Sequence, residues 1–555
     1  MPHSLYKQIK QFISETDFDG ILITRFDSFL GEYFPPDVTC LKNVTGGFSG
    51  SAGLALITQD DNILFVDSRY TLQAKKQTFF KVFEVPSETT PSAWIKQHLK
   101  GKKIAFDPRK HSVTWYLQFS QMLSSEQIEL SPLSKEETEK LFPQKQFIQT
   151  DVFDYDVQYS GQSVSDKKNE IVKFLQKDNL DCFVITSPEN VSWLLNKRAG
   201  TVSEYPVVFE QGIIDIYGHY EPLNIKRLSH LKGKRIGVDL SQTSYALYDI
   251  IKLFAEIVPV QDPINKLKAI KNKIEIANIK QACLSESKTI CRFLSWIELN
   301  KSHITEMQCD FYLKQLRCED KLYFADSFET IAAVGEHAAR AHYRADESSD
   351  TLITTSALLL VDTGGHYLNG TTDMTRTIAV GQPSDMMKKR YTQVLQGHID
   401  LAMSSLKVTD TTAEMDKKAH HWLRLDNVDY HHGTSHGIGM FLAVHETPPV
   451  VHERDTHGMI SGMVFSNEPA YYDSEAGYGI RLENMLLSVQ QDDETLVFEN
   501  LLFIPFDYRL VLFDMLTQEQ KNWLKHYHKQ IEERIFPLLD AETKKILKPF
   551  VDAFQ

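Results

Sequence analysis

The sequence lacks long apolar runs, paired cysteines and an excess of basic residues. No uncharged stretch approaches the roughly 18 residues that a membrane helix needs. The N-terminal stretch MPHSLYKQIKQFISE has no continuous apolar core, so it predicts an amphipathic helix rather than a signal peptide. The six cysteines form no CxxC pair, which favours free thiols in a reducing compartment. The net charge of −14 argues against nucleic acid as a partner. We therefore expect a cytoplasmic protein that binds neither membranes nor nucleic acids.

A degenerate repeat runs through the first half of the chain. FDGILIT at 18–24 resembles LDCFVIT at 180–186, and LKGKKIAFD at 99–107 resembles LKGKRIGVD at 231–239. Each segment predicts an apolar strand bounded by glycine, aspartate or proline, and each copy predicts a small α/β unit. The first copy is the longer one, and its extra segment includes NVTGGFSGSAG and ILFVDSRYTLQA, the latter a strand running into a helix.

The length of 555 residues exceeds what one hydrophobic core usually serves, so several domains are expected. Polar or proline-containing stretches at 154–166 and 261–272 predict boundaries, and beyond the second one long helices alternate with β-type runs such as ALLLVDTGGHYL and MVFSNEPAYY. We predict a mixed α/β (α+β) protein with two related domains at 1–155 and 156–262 and a third domain at 263–555.

Five residues of metal-ligand type recur in the third domain. Four carboxylates and one imidazole suit a pair of hard or borderline divalent cations, such as two Mn²⁺, better than a single structural zinc ion. The pattern therefore predicts metal-assisted hydrolysis. The five residues lie in VDTGGHY, GTTDMTRT, HGTSHGIG, FSNEPAYY and IRLENM and are Asp362, Asp373, His436, Glu468 and Glu483.

Asp362 and Asp373 flank Gly-Gly and Asn-Gly dipeptides, which is typical of two antiparallel strands joined by turns. The residues around both aspartates are apolar, so the carboxylates are expected in a covered interior. Two buried carboxylates repel each other unless a cation or a proton lies between them. The alternative is a pair of aspartates that cap turns.

His436 lies in the glycine-rich stretch HHGTSHGIGM, where the backbone can approach a ligand closely. A single histidine in such a stretch is more often a core residue. The closeness of His432 and His445 in the sequence favours a site instead.

The two glutamates are weaker evidence when each is taken alone. Glu468 precedes Pro469, which fixes the backbone after a predicted strand. Glu483 is expected on another strand, two residues after Arg481, so a simple salt bridge between these two is the competing explanation. The whole ordered set is what favours a metal site.

This ordered set resembles that of the dinuclear pita-bread metallopeptidases, which include methionine aminopeptidase, prolidase, aminopeptidase P and the metal-free creatinase. NVTGGFSGSAG, VDSRYTLQA and HGTSHGIGMFLAVHE, with three predicted domains, resemble the three-domain Xaa-Pro aminopeptidases over nearly the whole chain. Methionine aminopeptidases lack the two N-terminal domains, and prolidases usually carry one. The resemblance implies two creatinase-like α/β domains followed by a pita-bread catalytic domain.

The resemblance also implies a role for each candidate ligand. Asp362 would bind one metal ion, while Asp373 and Glu483 would bridge both. His436 and Glu468 would complete the second site. A hydroxide held between the metals would attack the scissile carbonyl, and Glu468 would pass a proton to the leaving nitrogen. The cofactors would be two divalent metal ions, with Mn²⁺ favoured and Co²⁺, Fe²⁺ or Zn²⁺ as alternatives.

Three histidines match further functional positions of the family. His342, in ARAHYRAD, and His445, in AVHETPP, match residues that hydrogen-bond the substrate carbonyl or the tetrahedral intermediate. His432 matches a histidine beside the proline pocket. For His342 the alternative is a buried structural histidine before Tyr343.

An Xaa-Pro bond has no N–H group, so a site that selects it needs a flat apolar pocket instead of a hydrogen-bond acceptor. Phe328, Val444 and Arg481 match the lining of that pocket in the family. An aromatic residue just before a strand is more often part of the hydrophobic core. A core role is therefore the alternative for Phe328.

The chain departs from the family pattern before His342. Family members usually have a small, flexible stretch of proline, asparagine and glycine there, followed by two apolar residues. This chain has GEHAARAHY, which includes Glu336, His337 and Arg340. The segment borders the substrate entrance in the family, so the preferred N-terminal residue and peptide length stay open, whereas no metal ligand is affected.

The leading interpretation is a cytoplasmic metalloexopeptidase that removes the first residue from peptides with proline in second position. The resemblance implies a homodimer. One alternative is a prolidase, which cuts only Xaa-Pro dipeptides and is disfavoured by the three-domain layout. The other is an inactive pita-bread binding module, which the five intact ligands and the acidic net charge disfavour.

Overall fold

The computed structural model describes residues 3–31, 35–143, 149, 151–200, 205–455 and 458–555. The chain divides into two compact units. Unit 1 comprises Met1–Asp154 and Gln162–Ile264, and unit 2 comprises Tyr155–Gly161 and Asn265–Gln555. The predicted boundary between the first two domains, after residue 155, falls in the Tyr155–Gly161 segment that groups with unit 2, and it stays a prediction. Across the described ranges, every helix is too short or too polar to cross a membrane.

Unit 1 is built around two sheets. Its strands in chain order are β1 (Gly20–Thr24), β2 (Leu54–Thr58), β3 (Asn62–Asp67), β4 (Lys81–Val85), β5 (Lys103–Phe106), β6 (Glu129–Pro132), β7 (Val152–Asp154), β8 (Cys182–Ile185), β9 (Lys197–Ala199), β10 (Gly212–Asp215), β11 (Tyr220–Pro222), β12 (Arg235–Val238) and β13 (Glu256–Pro259). The first sheet has the order β4-β3-β2-β1-β5-β6, and the second has the order β11-β10-β8-β12-β13. β7 and β9 form a separate pair.

The two sheets repeat one arrangement, which confirms the related α/β domains predicted from the sequence. β1 pairs antiparallel with β2 and parallel with β5, and β8 pairs antiparallel with β10 and parallel with β12. One hydrogen bond recurs as well: the Asp19 N–H donates to the carbonyl of Lys103, and the Asp181 N–H donates to that of Arg235, both at 2.8 Å. The extra segment of the first copy includes β3 and a helix at Thr71–Gln77, as predicted.

The helices begin mostly at serine, threonine, asparagine or aspartate caps, whose side chains accept the unpaired N–H groups of the first turn. Asn272, for example, accepts from Ile274 and Glu275 at the start of the longest helix. In chain order the helices are α1 (His3–Glu15), α2 (Pro35–Thr45), α3 (Thr71–Gln77), α4 (Pro91–His98), α5 (Val113–Ser124), α6 (Lys135–Leu141), α7 (Val157–Ser160), α8 (Val164–Lys177), α9 (Pro188–Leu194), α10 (Tyr245–Ile251), α11 (Pro263–Ala269), α12 (Lys273–Asn300), α13 (Glu306–Arg317), α14 (Asp385–Ala402), α15 (Ala413–Arg424), α16 (Gln518–Arg534) and α17 (Ala541–Asp552). The predicted N-terminal helix is α1.

Unit 2 carries antiparallel sheets. Its strands are β14 (Tyr323–Asp326), β15 (Ile331–Val334), β16 (Leu358–Thr363), β17 (Gly365–Tyr367), β18 (Gly370–Thr371), β19 (Met374–Ala379), β20 (Ser405–Lys407), β21 (Ser435–Gly437), β22 (Glu446–Val451), β23 (Val464–Asn467), β24 (Ala470–Asp473), β25 (Tyr478–Arg481), β26 (Asn484–Gln490) and β27 (Thr495–Asn500). The largest sheet has the order β20-β27-β26-β23-β21-β22, and a second one has the order β15-β16-β19. Strands of both sheets are covered on each face, so that β16, β19 and β23 are buried along their whole length.

Candidate metal centre

Asp362 and Asp373 come from two paired strands. Asp362 is on β16, Asp373 directly precedes β19, and the two strands run antiparallel with Asp362 opposite Thr375. The short hairpin of β17 and β18 connects them. A Cβ atom on Gly364 would lie 2.0 Å from the carbonyl oxygen of Thr372, so this close approach requires glycine. Both aspartates are buried, and the predicted antiparallel pair is confirmed.

His436, on β21, directs one ring nitrogen at the carboxylates. Its Nδ1 lies 2.9 Å from the carbonyl oxygen of Gly437, which can only accept, so Nδ1 carries a proton. Nε2 is thereby the ring nitrogen that can offer a lone pair to a cation once it is deprotonated. Nε2 lies 3.3 Å from Oδ2 of Asp373 and 3.5 Å from Oε1 of Glu468.

The two glutamates lie where strands end. Glu468 follows β23, and its N–H donates to the Thr434 carbonyl at 3.0 Å, while Ser466 donates to Oε1 at 3.3 Å. Glu483 lies between β25 and β26, so the expectation that it is within a strand was wrong. Its N–H donates to the Thr375 carbonyl at 3.0 Å, and the Thr375 hydroxyl donates to Oε2 at 2.8 Å. These bonds fix the backbone and one carboxylate oxygen of each glutamate.

In this cluster, three buried carboxylate oxygens have no hydrogen-bond partner among the described residues: Oδ1 of Asp362, Oδ1 of Asp373 and Oε1 of Glu483. Oxygen atoms of these three residues lie within 4.8 Å of one another, and so do ligand atoms of His436, Glu468 and Glu483. A buried, unpaired carboxylate is strongly destabilising unless a cation neutralises it. The oxygen-rich set therefore fits two divalent metal cations.

The crowding of like charges shifts the protonation of the metal-free cluster. Burial and the neighbouring Asp362 raise the pKa of Asp373 to about 6, and burial with the nearby carboxylates raises the pKa of Glu468 to about 7. Burial and Asp373 raise the pKa of Glu483 well above its ordinary value. Burial opposes the protonation of His436, but its contacts with Asp373 and Glu468 raise its pKa to about 9. Metal binding must displace these protons.

Arg481 forms an ion pair with Asp362. The alternative suggested by the sequence was a salt bridge between Arg481 and Glu483. The Arg481 guanidinium donates to Oδ2 of Asp362 and to the Tyr472 hydroxyl. Nε also lies 3.2 Å from Oγ1 of Thr375, which itself bonds Glu483. Arg481 thus orients Asp362, whose Oδ1 atom stays buried without a hydrogen-bond partner among the described residues. Its place in a proline pocket stays a prediction.

His432 and His445 border the cluster. Nε2 of His432 lies 3.1 Å from the Tyr472 hydroxyl, and Nδ1 lies 4.0 Å from Oε2 of Glu468. The exposed His445 ring stands at 88° to that of His436, with centroids 4.5 Å apart. His445 also lies within ligand distance of Asp373 and His436. Both histidines are next to the carboxylates, and their roles stay predictions.

The remaining predicted residues are less directly connected to the cluster. His342 is half-buried in a turn, directly after Ala341, whose carbonyl accepts from Arg481 at 3.2 Å. Val444 is fully buried and precedes His445. Phe328 is half-buried between β14 and β15. Their contacts with substrate stay predictions.

Several residues that support the site were not singled out from the sequence. The Thr375 hydroxyl donates to Glu483, and the Ser466 hydroxyl donates to Glu468. Ser466 also accepts the His436 N–H at 3.0 Å. Both lie on strands that are buried along their whole length, but MTRTIA and VFSN contain other polar residues as well, so no clear sequence signal distinguished these two. Tyr472, between Arg481 and His432, follows Glu468 on the next strand and likewise had no clear signal.

The same chain regions match known families. Metallopeptidase family M24 matches residues 277–489, and the C-terminal region of that family matches 494–549. The creatinase/prolidase N-terminal domain matches twice, at 7–139 and 143–217. The predicted fold class, two creatinase-like domains before a pita-bread domain, is thereby confirmed.

Whole proteins match over nearly the full length. A probable Xaa-Pro aminopeptidase P from Laccaria bicolor is 30% identical over 97% of this chain and 91% of its own length. Xaa-Pro aminopeptidase 1 from Dictyostelium discoideum is 29% identical over 97% of this chain and 94% of its own. The crystal structure of X-prolyl aminopeptidase from Caenorhabditis elegans, described as a cytosolic enzyme with a di-nuclear active site, has the same fold, with a TM-score of 0.91, 24% identity and coverage of 100% of this chain and 99% of that one. With a metal-type cluster on an M24 fold and relatives that match along its length, this chain belongs to the Xaa-Pro aminopeptidases of metallopeptidase family M24.

Proposed function

We propose that this chain is a metal-dependent aminopeptidase that hydrolyses the bond between the first residue of a peptide and a proline in second position. The observation that carries the proposal is the convergence of the Asp362, Asp373 and Glu483 carboxylates, each of which has one buried oxygen without a hydrogen-bond partner among the described residues. The similarity to proteins named Xaa-Pro aminopeptidase along the whole chain supports the choice of substrate.

The candidate ligands divide into two sets that share Glu483. Asp362, Asp373 and Glu483 form one set, and His436, Glu468 and Glu483 form the other. Two divalent cations held by these sets, with Mn²⁺ favoured, would polarise the scissile carbonyl and lower the pKa of the attacking water. The free α-amino group of a peptide would approach the metal set beside Asp362, which would limit cleavage to a single residue.

Glu468 is the group placed to move the proton. Its side chain is 17% exposed, whereas that of Asp373 is 5% and that of Glu483 1% exposed, so a substrate can approach Glu468 more easily. His432 on one side and His436 on the other keep its oxygens oriented. Glu468 would take a proton from the attacking water and deliver it to the proline nitrogen as the bond breaks.

The histidines and the pocket would set substrate geometry. The exposed ring of His445 and the half-buried ring of His342 can donate hydrogen bonds to the carbonyl oxygen, which becomes negatively charged in the transition state. The proline nitrogen offers no N–H, so the surface facing it can be apolar or flat. Phe328, Val444 and Arg481 are the residues proposed to line it.

A peptide panel tests the proposal. The protein, loaded with Mn²⁺, is incubated with Ala-Pro-Pro, with Ala-Ala-Pro and with the dipeptide Gly-Pro, and the released amino acids are quantified. We expect alanine from Ala-Pro-Pro alone. Cleavage of Gly-Pro with Ala-Pro-Pro untouched would identify a prolidase, and a metal-loaded protein that cleaves none of the three would be a binding module.

The native metal and the assembly are part of the proposal. We propose Mn²⁺ as the metal, cytoplasm as the location and a homodimer as the working state. Support for the location comes from the Caenorhabditis elegans protein, which is described as cytosolic. Elemental analysis of natively purified protein tests the metal, and analytical ultracentrifugation tests the dimer. Fewer than about two metal ions per active chain would contradict the shared use of Glu483 by two ligand sets.

A further inference from the structure

The atypical segment at residues 335–343 is held by one fully buried carboxylate. Glu306 begins α13 and has no exposed surface. Its Oε1 accepts the Val334 N–H at 2.8 Å, Nδ1 of His337 lies 3.0 Å from both of its oxygens, and the Tyr343 hydroxyl donates to Oε2 at 3.0 Å. A buried carboxylate is stable only when its oxygens are paired. The three donors therefore determine where this segment can lie.

Two of these donors also contact each other. The His337 and Tyr343 rings stack with centroids 4.2 Å apart and an angle of 13° between their planes. The chain between them turns continuously, since the Arg340 N–H bonds the His337 carbonyl and the Tyr343 N–H bonds the Arg340 carbonyl. The stacked rings thus close a short loop that contains His342.

The metal side of the loop is fixed independently. The Ala341 carbonyl accepts from Arg481 at 3.2 Å, and the same guanidinium binds Asp362. Tyr343 packs in an apolar cluster with Leu360, which lies two residues before Asp362 on β16. The residues before and after His342 are therefore both anchored, one to the metal side and one to Glu306.

We infer that Glu306, His337 and Tyr343 form a clamp that positions His342 toward the substrate. The inference rests on the proposed function, because it gives His342 a substrate contact. The three clamp residues are positioning residues, and they replace the flexible stretch that the family usually has at this place. Because His342 is already held in place, less conformational entropy is lost when the substrate binds.

A double-mutant cycle tests the clamp in the full-length, Mn²⁺-loaded protein with Ala-Pro-Pro as substrate. His337→Phe keeps a ring against Tyr343 but removes the donor to Glu306. We expect it to lower kcat/KM by about 10-fold, because small displacements of a positioned group cost rate. In a His342→Ala background the same substitution is expected to cause no further loss. If His342→Ala turns over too slowly to measure, His342→Gln, which keeps a donor, takes its place in the cycle, and a smaller loss than in the wild-type background is then expected.

Further variants separate positioning from folding. His337→Asn keeps a donor near the Nδ1 position and is expected to recover much of the loss, and Tyr343→Phe removes one hydroxyl only and is expected to cost about 3-fold. His219→Phe is the matched control, because His219 also faces a carboxylate, Asp215 at 3.2 Å, but in unit 1. Metal content is measured for each variant and is expected to be unchanged.

The outcomes distinguish this inference from the proposed function. Equal losses from His337→Phe in both backgrounds, or no loss at all with active wild type, would overturn the clamp alone. A metal-loaded wild type that cleaves no Xaa-Pro peptide would refute the proposed function, and the role of the clamp with it.

Discussion

Arg481 binds one oxygen of Asp362, and the other oxygen is buried without a hydrogen-bond partner among the described residues. The two residues are 119 positions apart in the sequence, on strands β25 and β16. A guanidinium at this place supplies a fixed positive charge and several donors in one plane, which a lysine cannot reproduce.

Arg481→Lys should therefore weaken metal binding without unfolding the protein. Loss of the contacts to Asp362 and Tyr472 frees the carboxylate to rotate, and outer contacts of this kind are typically worth about 10- to 100-fold in metal affinity or activity. Mn²⁺ titration followed by calorimetry measures the affinity. Arg292→Lys is the control, since Arg292 pairs with Glu319 on an exposed surface. An unchanged affinity in Arg481→Lys would contradict the assigned role.

Glu468→Gln should abolish turnover while the other ligands still bind metal. The amide keeps the shape but cannot accept and return a proton, so we expect kcat to fall by at least ~100-fold. Steady-state kinetics with parallel metal analysis measures this. Glu499→Gln serves as control and should keep normal kcat. Glu499, on β27, pairs with Lys280 of α12. Near-normal turnover in Glu468→Gln would make the proton-transfer assignment wrong.

The stabilisation by metal should grow as the pH rises from about 5 to about 9. In the metal-free fold the pKa values of Asp373 (about 6) and Glu468 (about 7) are raised, and so is that of His436 (about 9). A group whose pKa is raised by folding stabilises the metal-free fold at low pH. That stabilisation is lost as the pH rises through the pKa that the group has in the folded protein, so the metal then makes the larger difference. The difference in Tm between Mn²⁺-loaded and chelated protein measures the effect. A difference that shrinks with pH would contradict these shifts.

Lys271→Met should destabilise the fold. Lys271 forms a fully buried ion pair with Glu446, the residue after His445, and Lys268 lies 3.7 Å from the same carboxylate. Removing one partner leaves a buried charge poorly compensated, at a cost of about 3 kcal/mol. Urea unfolding measures it. Lys280→Met, which breaks the half-exposed pair with Glu499, should cost less than about 1 kcal/mol. Equal costs for the two variants would contradict the burial argument.

Much of the fold and the candidate ligands could be predicted from local patterns. The apolar runs predict β1 and β8, and the glycine-containing turns predict the antiparallel strands of Asp362 and Asp373, because strand and turn formation depends on neighbouring residues. The pairing of Arg481 with Asp362 was not predictable in this way. The spacing in the sequence suggested Glu483 as the partner of Arg481. In the folded chain β16, which is distant in sequence, brings Asp362 into contact with Arg481 instead.

The atypical segment shows the same limit. Its composition indicated only a departure from the family, because Glu306, which binds His337, lies 31 residues upstream. Only the folded chain shows that a buried carboxylate on α13 is opposite this loop. Side-chain networks that join distant strands and helices depend on tertiary packing, and a single sequence carries no direct record of them.

The order of strands along the chain also sets the order of assembly during synthesis. Every strand of the two large sheets in unit 1 has been made once the ribosome has passed Pro259, and domains generally fold as units from the N-terminus. The carboxylate cluster needs both Asp362 and Glu483, so it cannot close until β25 and the residues after it have emerged. The metal-binding centre is therefore completed late in translation, after every strand of the two large sheets in unit 1 has been made.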